Sequence, residues 1–182
     1  APAVGPNAAG LFAPNAWIRI DPDGTVTLLV ARSEMGQGVM TALPMLLAEE
    51  LEVDLERVTV AFAPADRVYD NPMMFIQATG GSTSVMTSWE PLREAGAAAR
   101  EMLRAAAAAR WQVPVAECRA QAGQIHHDAS GRQAGYGELA TEAAAQPVPR
   151  KVALKSPAQF RLIGHAQRRL DAHDKVTGRA GL

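Results

Sequence analysis

The chain has 182 residues, a formal net charge of −1, and 48% hydrophobic against 20% charged residues. That length suits one domain, or one domain with an appendage, and the apolar content can fill a core. The balanced charge excludes recognition of nucleic acid or another acidic polymer by field alone, and apolar runs are broken by charge well short of the roughly 18 residues a transmembrane helix needs.

Residues 1–14, rich in Ala, Pro and Gly, read as a mobile arm. The start at Ala1 without methionine is expected from removal of an export signal or from trimming. Trp17-Ile18-Arg19-Ile20 and Thr25 to Val30 flank Asp21-Pro22-Asp23-Gly24, which predicts a hairpin. A glycine-containing loop, Ser33 to Gly38, follows. Leu43, Leu46, Leu47 and Leu51 then share one helical face. Val58 to Phe62 alternates as a strand does, and Ala63 to Ala78 is a long loop. The Ala-rich stretch Val85 to Trp111 predicts the longest helix, either kinked at Pro91 or starting nearer Ser88. Pro114 opens a short helix to about Arg119. Gln124 to His127 and Gln133-Ala134 form a second hairpin, and Gly137 to Ala140 begins another helix. Beyond Pro147 the chain is irregular, a linking or wrapping segment over 147–182. The expected class is α+β, with residues 15–146 as the domain proper.

Two clusters carry chemistry. Ser33-Glu34-Met35-Gly36-Gln37-Gly38 lies between a strand and a helix. Its glycines allow close backbone approach, the helix start offers N–H groups to an anion, and the Gln37 amide both donates and accepts. A purely structural turn has the same look. Thr79-Gly80-Gly81-Ser82-Thr83-Ser84 also precedes a helix. Its hydroxyls and N–H groups suit a phosphate or a polar heterocycle, although a helix cap from Ser82, Ser84 or Ser88 is the simpler reading. Two such turns can converge on one extended anionic ligand.

The ordered series is more specific than any one motif. Glu34-Met35-Gly36-Gln37-Gly38, Ala48-Glu49-Glu50-Leu51, Val58-Thr59-Val60, Asp66 and Thr79 to Ser84 resemble the molybdopterin-binding subunit of the xanthine dehydrogenase/aldehyde oxidase family. Ser88-Trp89-Glu90-Pro91-Leu92-Arg93, Arg169-Leu170-Asp171 and Lys175 to Ala180 are similar to its isoquinoline 1-oxidoreductase β-subunit type. The resemblance implies a molybdopterin cofactor with molybdenum, often as the cytosine dinucleotide, and oxidation of an aldehyde or N-heterocycle. It implies iron–sulfur clusters on a partner subunit only. By the same resemblance Gly36, Gln37 and Gly38 contact the cofactor, while Thr79, Gly81, Ser82 and Ser84 line its pterin or phosphate end.

Family members are several times longer, so the chain is expected to associate with the remainder of the molybdenum-binding subunit and to show no turnover alone. An interaction module completing a larger subunit is the second reading. A periplasmic location is expected, with a cytoplasmic one as the alternative. No catalytic residue and no metal ligand is assigned within the chain. Gly135-Tyr136-Gly137-Glu138 looks like the family's catalytic glutamate segment, but Glu138 reads as a first-turn helix acid. The lone cysteine, Cys118, is expected to pack beside a helix and His126-His127 to sit on an exposed hairpin. Met35, Met40 and Met45 are expected to pack in the core or against a partner, with Met35 possible beside the cofactor. Arg100, Arg104 and Arg110 are expected to form a solvated face or to meet an acidic partner.

Overall fold

The computed structural model describes residues 10–179. Four strands form the first sheet in the order β1-β2-β3-β4: β1 (Phe12–Asn15), β2 (Ile18–Ile20), β3 (Val26–Val30) and β4 (Thr59–Phe62). Ile18 and Ile20 point into the core while Arg19 between them is exposed, the period of two expected of a half-buried strand. The predicted hairpin is β2–β3, antiparallel with Ile18 opposite Leu28. Its turn is closed by Asp21 N donating to Thr25 O at 2.9 Å and by Thr25 N donating to Asp23 Oδ1 at 2.8 Å. The expected arm is shorter than read: Phe12 is fully buried and pairs with Ile20. Residues 1–9 of that arm lie outside the described residues.

β4 pairs parallel to β3, Thr27 opposite Thr59 through Val30 opposite Phe62. Helix α1 (Val39–Leu51) makes the crossover between them, since parallel neighbours need a long connection. Helix α2 (Thr83–Trp111) packs against α1. It starts at Thr83 and runs through Pro91, which deletes only the bond to the Thr87 carbonyl. The core fills the space between the sheet and these helices, from Phe12, Leu28, Leu47 and Leu51 to Leu103.

The second sheet is a meander, β5 (Cys118–Gln121), β6 (Gln124–His127) and β7 (Arg132–Gly135), leading into α3 (Tyr136–Ala144). The helix expected from Pro114 to Arg119 is a single 3-10 turn, Val115–Glu117, followed by a strand. Pairing of Cys118 with His127 and of Ala120 with Ile125 overrides the local helical signal. The two-residue turn has both Ala122 (φ 49°) and Gly123 (φ 77°) left-handed, the geometry hairpin twist requires. His127 is buried rather than exposed, its ring held by Ser130 Oγ at 2.7 Å and Glu117 Oε2 at 2.9 Å. Cys118 is buried as expected, beside α2.

After Pro147 the chain is irregular apart from the 3-10 turn Pro157–Gln159 and the short α4 (Ala172–Val176). It wraps this chain's own α1. Two fully buried carboxylates at the end of that helix hold it. Glu49 Oε2 accepts from the N–H groups of Arg161 (2.9 Å), Leu162 (2.7 Å) and Ile163 (3.1 Å), and Glu49 Oε1 from Lys155 Nζ (2.7 Å). Glu50 accepts from Arg93 Nη2 (2.7 Å) and from Lys155 N (3.1 Å). Of the arginines expected to form a solvated face, Arg110 is exposed, but all three also clamp the chain's own carbonyls. Arg100 donates to Glu50 O, Arg104 to Cys118 O, and Arg110 to Glu138 O and the Glu142 carboxylate. A planar fork satisfies several carbonyls at once, a use that charge spacing does not reveal.

Candidate functional site

β3 and β4 run parallel, so the loops leaving their carboxyl ends start side by side, and Ala63 N donates to Val30 O at 2.9 Å. Such carboxyl-end crevices are where open α/β sheets place ligands. The loop after β3 carries Ser33 to Gly38; the loop after β4 carries Thr79 to Ser82 and leads into α2 at Thr83. The two meet where Ser33 N donates to Thr79 Oγ1 at 2.8 Å. Between them lies an open depression of about 400 Å³, lined by Arg32, Ser33, Phe62, Gln77 and Thr79 among others.

The first turn is built around Glu34. Its Oε1 accepts from Gly36 N (2.8 Å) and Gly38 N (2.9 Å), and its Oε2 from Met40 N (3.0 Å). Gly36 (φ 103°) and Gly38 (φ 91°) both occupy the left-handed half of backbone space, which favours glycine at each. The anion-binding N–H groups expected at the start of α1 are therefore already taken in part by the chain's own carboxylate. Gln37 is exposed, and its amide closes the loop: Nε2 donates to Ser33 O at 2.8 Å and Oε1 accepts from Met35 N at 2.6 Å.

The second turn differs. Gly81 (φ 59°) and Ser82 (φ 56°) are both left-handed and exposed. α2 begins with no side-chain cap. The serines proposed as caps do not serve as one. The turn is held from beneath by buried Thr83, whose Oγ1 donates to Gly80 O (2.8 Å), while fully buried Asn71 donates its Nδ2 proton to Thr83 Oγ1 (2.6 Å). Ser82 is thus left facing solvent at a helix start, with half-buried Ser84 beside it.

Three further residues shape the site, Glu34, Arg169 and Arg32, and although the first two belong to motifs of the family series, the sequence alone assigns none of them a role in the site. Glu34 was legible only as part of its motif. Arg169 reaches in from the C-terminal segment, Nη2 to Glu34 Oε1 at 3.0 Å and Nη1 to Gly36 O at 2.9 Å. Arg32, 6% exposed, donates Nη1 to Tyr69 O at 2.8 Å, while its Nε is buried without a hydrogen-bond partner. Burial pushes the Arg32 pKa down and Asp70 pulls it up. Glu138 is exposed and caps α3, its Oε1 accepting from Gly135 N at 3.2 Å. Met40 and Met45 pack against the core, whereas Met35 is exposed at the loop tip.

Burial raises the Glu34 pKa, but the N–H groups of Met40, Gly38 and Gly36 and the charge of Arg169 outweigh it and hold the carboxyl below its ordinary value. At Glu49 burial likewise pushes the value up, but Lys155 and the N–H groups of 161–163 outweigh it and hold the carboxyl below its ordinary value. A depressed carboxylate contributes stability that is complete above the unfolded-state value, about 4.3, and is lost as pH falls through the folded one. Amide exchange protection at 36–40 and 161–163 should therefore hold from neutrality to about pH 5 and fall below about pH 4. Protection that instead weakens between pH 8 and 6 contradicts this assignment.

A family model for the molybdopterin cofactor-binding domain matches residues 2–177. The chain is 36% identical to the isoquinoline 1-oxidoreductase subunit beta of Brevundimonas diminuta, over 92% of this chain and 26% of that protein. It is 32% identical to the membrane-bound aldehyde dehydrogenase [pyrroloquinoline-quinone] of Gluconacetobacter polyoxogenes, over 94% and 22%. The chain thus spans about a quarter of the length of these relatives. In fold it is similar to quinoline 2-oxidoreductase from Pseudomonas putida 86, with TM-score 0.51 and 19% identity over 68% of this chain and 15% of that one. CO dehydrogenase from Oligotropha carboxidovorans gives 0.52 and 21% over 68% and 15%. With the match running through both turns and the segment that braces them, the chain belongs to the molybdopterin cofactor-binding domain family.

Proposed function

We propose that this chain supplies one wall of the cofactor site of a molybdenum hydroxylase that oxidises an aldehyde or an N-heterocycle. The observation that carries the proposal is the Ser33–Thr79 hydrogen bond, which joins the two turns at the carboxyl ends of a parallel strand pair. The residues present fit a pterin with an anionic tail. Arg32, whose buried Nε has no hydrogen-bond partner, is among the residues lining the depression. Gln77, Ser33 and Thr79 add polar groups around it.

When bound, the molybdenum–pterin group supplies two-electron oxidation with oxygen transfer. This chain's residues bind and orient. Gly36 and Gln37, both exposed, and half-buried Gly38 present the loop edge to the pterin. Thr79, Gly81, Ser82 and Ser84 take the phosphate end, because the start of α2 is uncapped while Glu34 occupies that of α1. The cofactor is proposed in its cytosine dinucleotide form. Electrons leave through an iron–sulfur partner subunit, and the assembly is periplasmic.

The rest of the subunit covers the site. Met35 (69%), Phe75 (82%) and Met86 (61%) are exposed on the two loops and the first turn of α2 and offer apolar anchors to that covering. This also serves the second reading, an interaction module, and both hold together. Phe75→Asp with Met86→Asp should weaken association with the remaining subunit at least tenfold in pull-down titrations, since buried apolar anchors dominate interfaces. Undiminished association places the contact elsewhere.

For the cofactor itself, molybdenum and pterin are measured per assembled subunit. Gln37→Ala and Thr79→Val should each lower occupancy roughly two- to tenfold, the loss of about one hydrogen bond, with little change in thermal midpoint. Wild-type assembly without pterin, or unchanged content in both variants, removes the proposal.

A further inference from the structure

We infer that Arg169 is a positioning residue for the Ser33–Gly38 loop, acting through the Glu34 carboxylate and the Gly36 carbonyl. The inference rests on the cofactor reading above. The loop is exposed at Ser33, Met35, Gly36 and Gln37, and it lies between β3 and α1 with two left-handed glycines. Such a segment has many alternative conformations available. Three of its internal bonds converge on one anchor, the Glu34 carboxylate, and two more run through the Gln37 amide.

Arg169 fixes that anchor from outside the loop. One nitrogen of its fork bonds Glu34 Oε1 and another the Gly36 carbonyl, so both the cap and the turn it caps are held by one rigid plane. The guanidinium is itself held. Nε and Nη2 bond the two oxygens of Asp171 at 2.9 Å each, and Lys175 Nζ lies 2.6 Å from Asp171 Oδ2. Next to it, Leu170 N donates to Thr41 Oγ1 at 3.0 Å, pinning the segment to the first turn of α1. The segment is therefore tied at both ends of α1: by Glu49 and Glu50 near residues 155–163, and by Glu34 and Thr41 at 169–170.

These contacts lie at the solvent edge, and the Arg169 side chain is 39% exposed. An ion pair there adds little to global stability. A bidentate fork adds direction, which matters when loop atoms must already point correctly before a ligand arrives. Arg169 therefore governs loop order and cofactor retention more than folding.

The test uses the assembled subunit carrying Arg169→Ala, Arg169→Lys, Glu34→Gln, or Glu34→Gln with Arg169→Ala. Arg161→Ala, which breaks an ion pair to Glu52 away from the loop, is the control. Amide exchange at 34–41 is read in cofactor-free material from a host unable to make the pterin, and molybdenum per subunit in loaded material. Arg169→Ala should quicken exchange at Gly36, Gly38 and Met40 about tenfold and lower molybdenum severalfold, leaving the thermal midpoint near that of wild type. Lysine restores only part of both, because an ammonium lacks the fork. The double variant should fall short of the sum of the two single effects, as for residues that share a contact. Wild-type exchange in Arg169→Ala, full rescue by lysine, additive double-variant effects, or an equal change in the control overturns the inference. Wild-type assembly lacking pterin overturns the cofactor reading instead, and that is seen before any variant is made.

Discussion

Glu50→Leu should cost about 3–5 kcal/mol of folding stability, a large part of the roughly 5–15 kcal/mol a domain has. Glu50 is fully buried at the end of α1, and Arg93, 7% exposed, donates to its Oε1 from both Nε (2.9 Å) and Nη2 (2.7 Å). Arg100 lies 3.4 Å from the other oxygen. Leucine is close in volume, so the loss is not one of packing. It removes the acceptor while the Arg93 guanidinium stays against the rings of Trp89 and Phe160, at 5.2 and 5.0 Å. A buried cation without its anion is the expensive outcome. Lys155 N loses its acceptor too. Glu50→Leu combined with Arg93→Met should recover much of the loss, because a buried ion pair replaced as a unit is often close to neutral. Denaturant unfolding of the single and double variants reads both numbers. A single variant within about 1 kcal/mol of wild type, or a double variant worse than the single, refutes the account.

The parts of this fold legible in the sequence are those set by local pattern. Ile18 and Ile20 alternate with Arg19, and Asp21 to Gly24 is turn chemistry, so the β2–β3 hairpin could be drawn in advance. α1 showed in the spacing of its leucines and α2 in its alanines. β1 was not legible: Phe12-Ala13-Pro14-Asn15 has a proline and weak strand propensity, and it is a strand because Phe12 fills the core opposite Ile20. β5 was hidden for a similar reason. Ala122 adopts φ 49°, a conformation alanine seldom takes, so Ala122-Gly123 gave no hairpin signal.

The site divides the same way. Both turns, and their position before helices, were readable from glycine and hydroxyl spacing. What each turn does was not. Glu34 satisfies N–H groups within six residues of itself, a local arrangement that nonetheless looks like any loop acid in a sequence. Arg169, Asn71 and Arg32 act across the fold, and no period or motif links them to the turns they support. The long irregular end suggested a segment waiting for a partner. Its hold on α1 depends on two buried glutamates that read, in sequence, as the polar end of an amphipathic helix.

Gly96→Ala tests how tightly these parts are coupled. In an open helix this substitution is favourable by roughly 0.5–1 kcal/mol, because alanine restricts the unfolded chain. Here the sign reverses. A Cβ on Gly96 would lie 2.5 Å from Leu47 O and 3.1 Å from Glu50 Cβ. The closest obstruction is backbone, so no rotamer relieves it and α1 must move away from α2. Overpacking of this kind costs about 1–3 kcal/mol or more. The displaced residues are Leu47 to Glu50, the stretch that carries both buried carboxylates. Moving it lengthens the Glu50–Arg93 contact and the bonds from Glu49 to 161–163, so the C-terminal segment loosens along with the helix pair. The expected result is a net loss of about 2–3 kcal/mol, with faster proteolysis between Ser156 and Arg169. Glu94→Ala, exposed on the same helix, should show neither effect. If Gly96→Ala raises the unfolding midpoint as it would in an open helix, the close approach of α1 and α2 is wrong. If stability falls but the segment stays protected, Glu49 and Glu50 do not link the helix crossing to the brace on the Ser33–Gly38 loop.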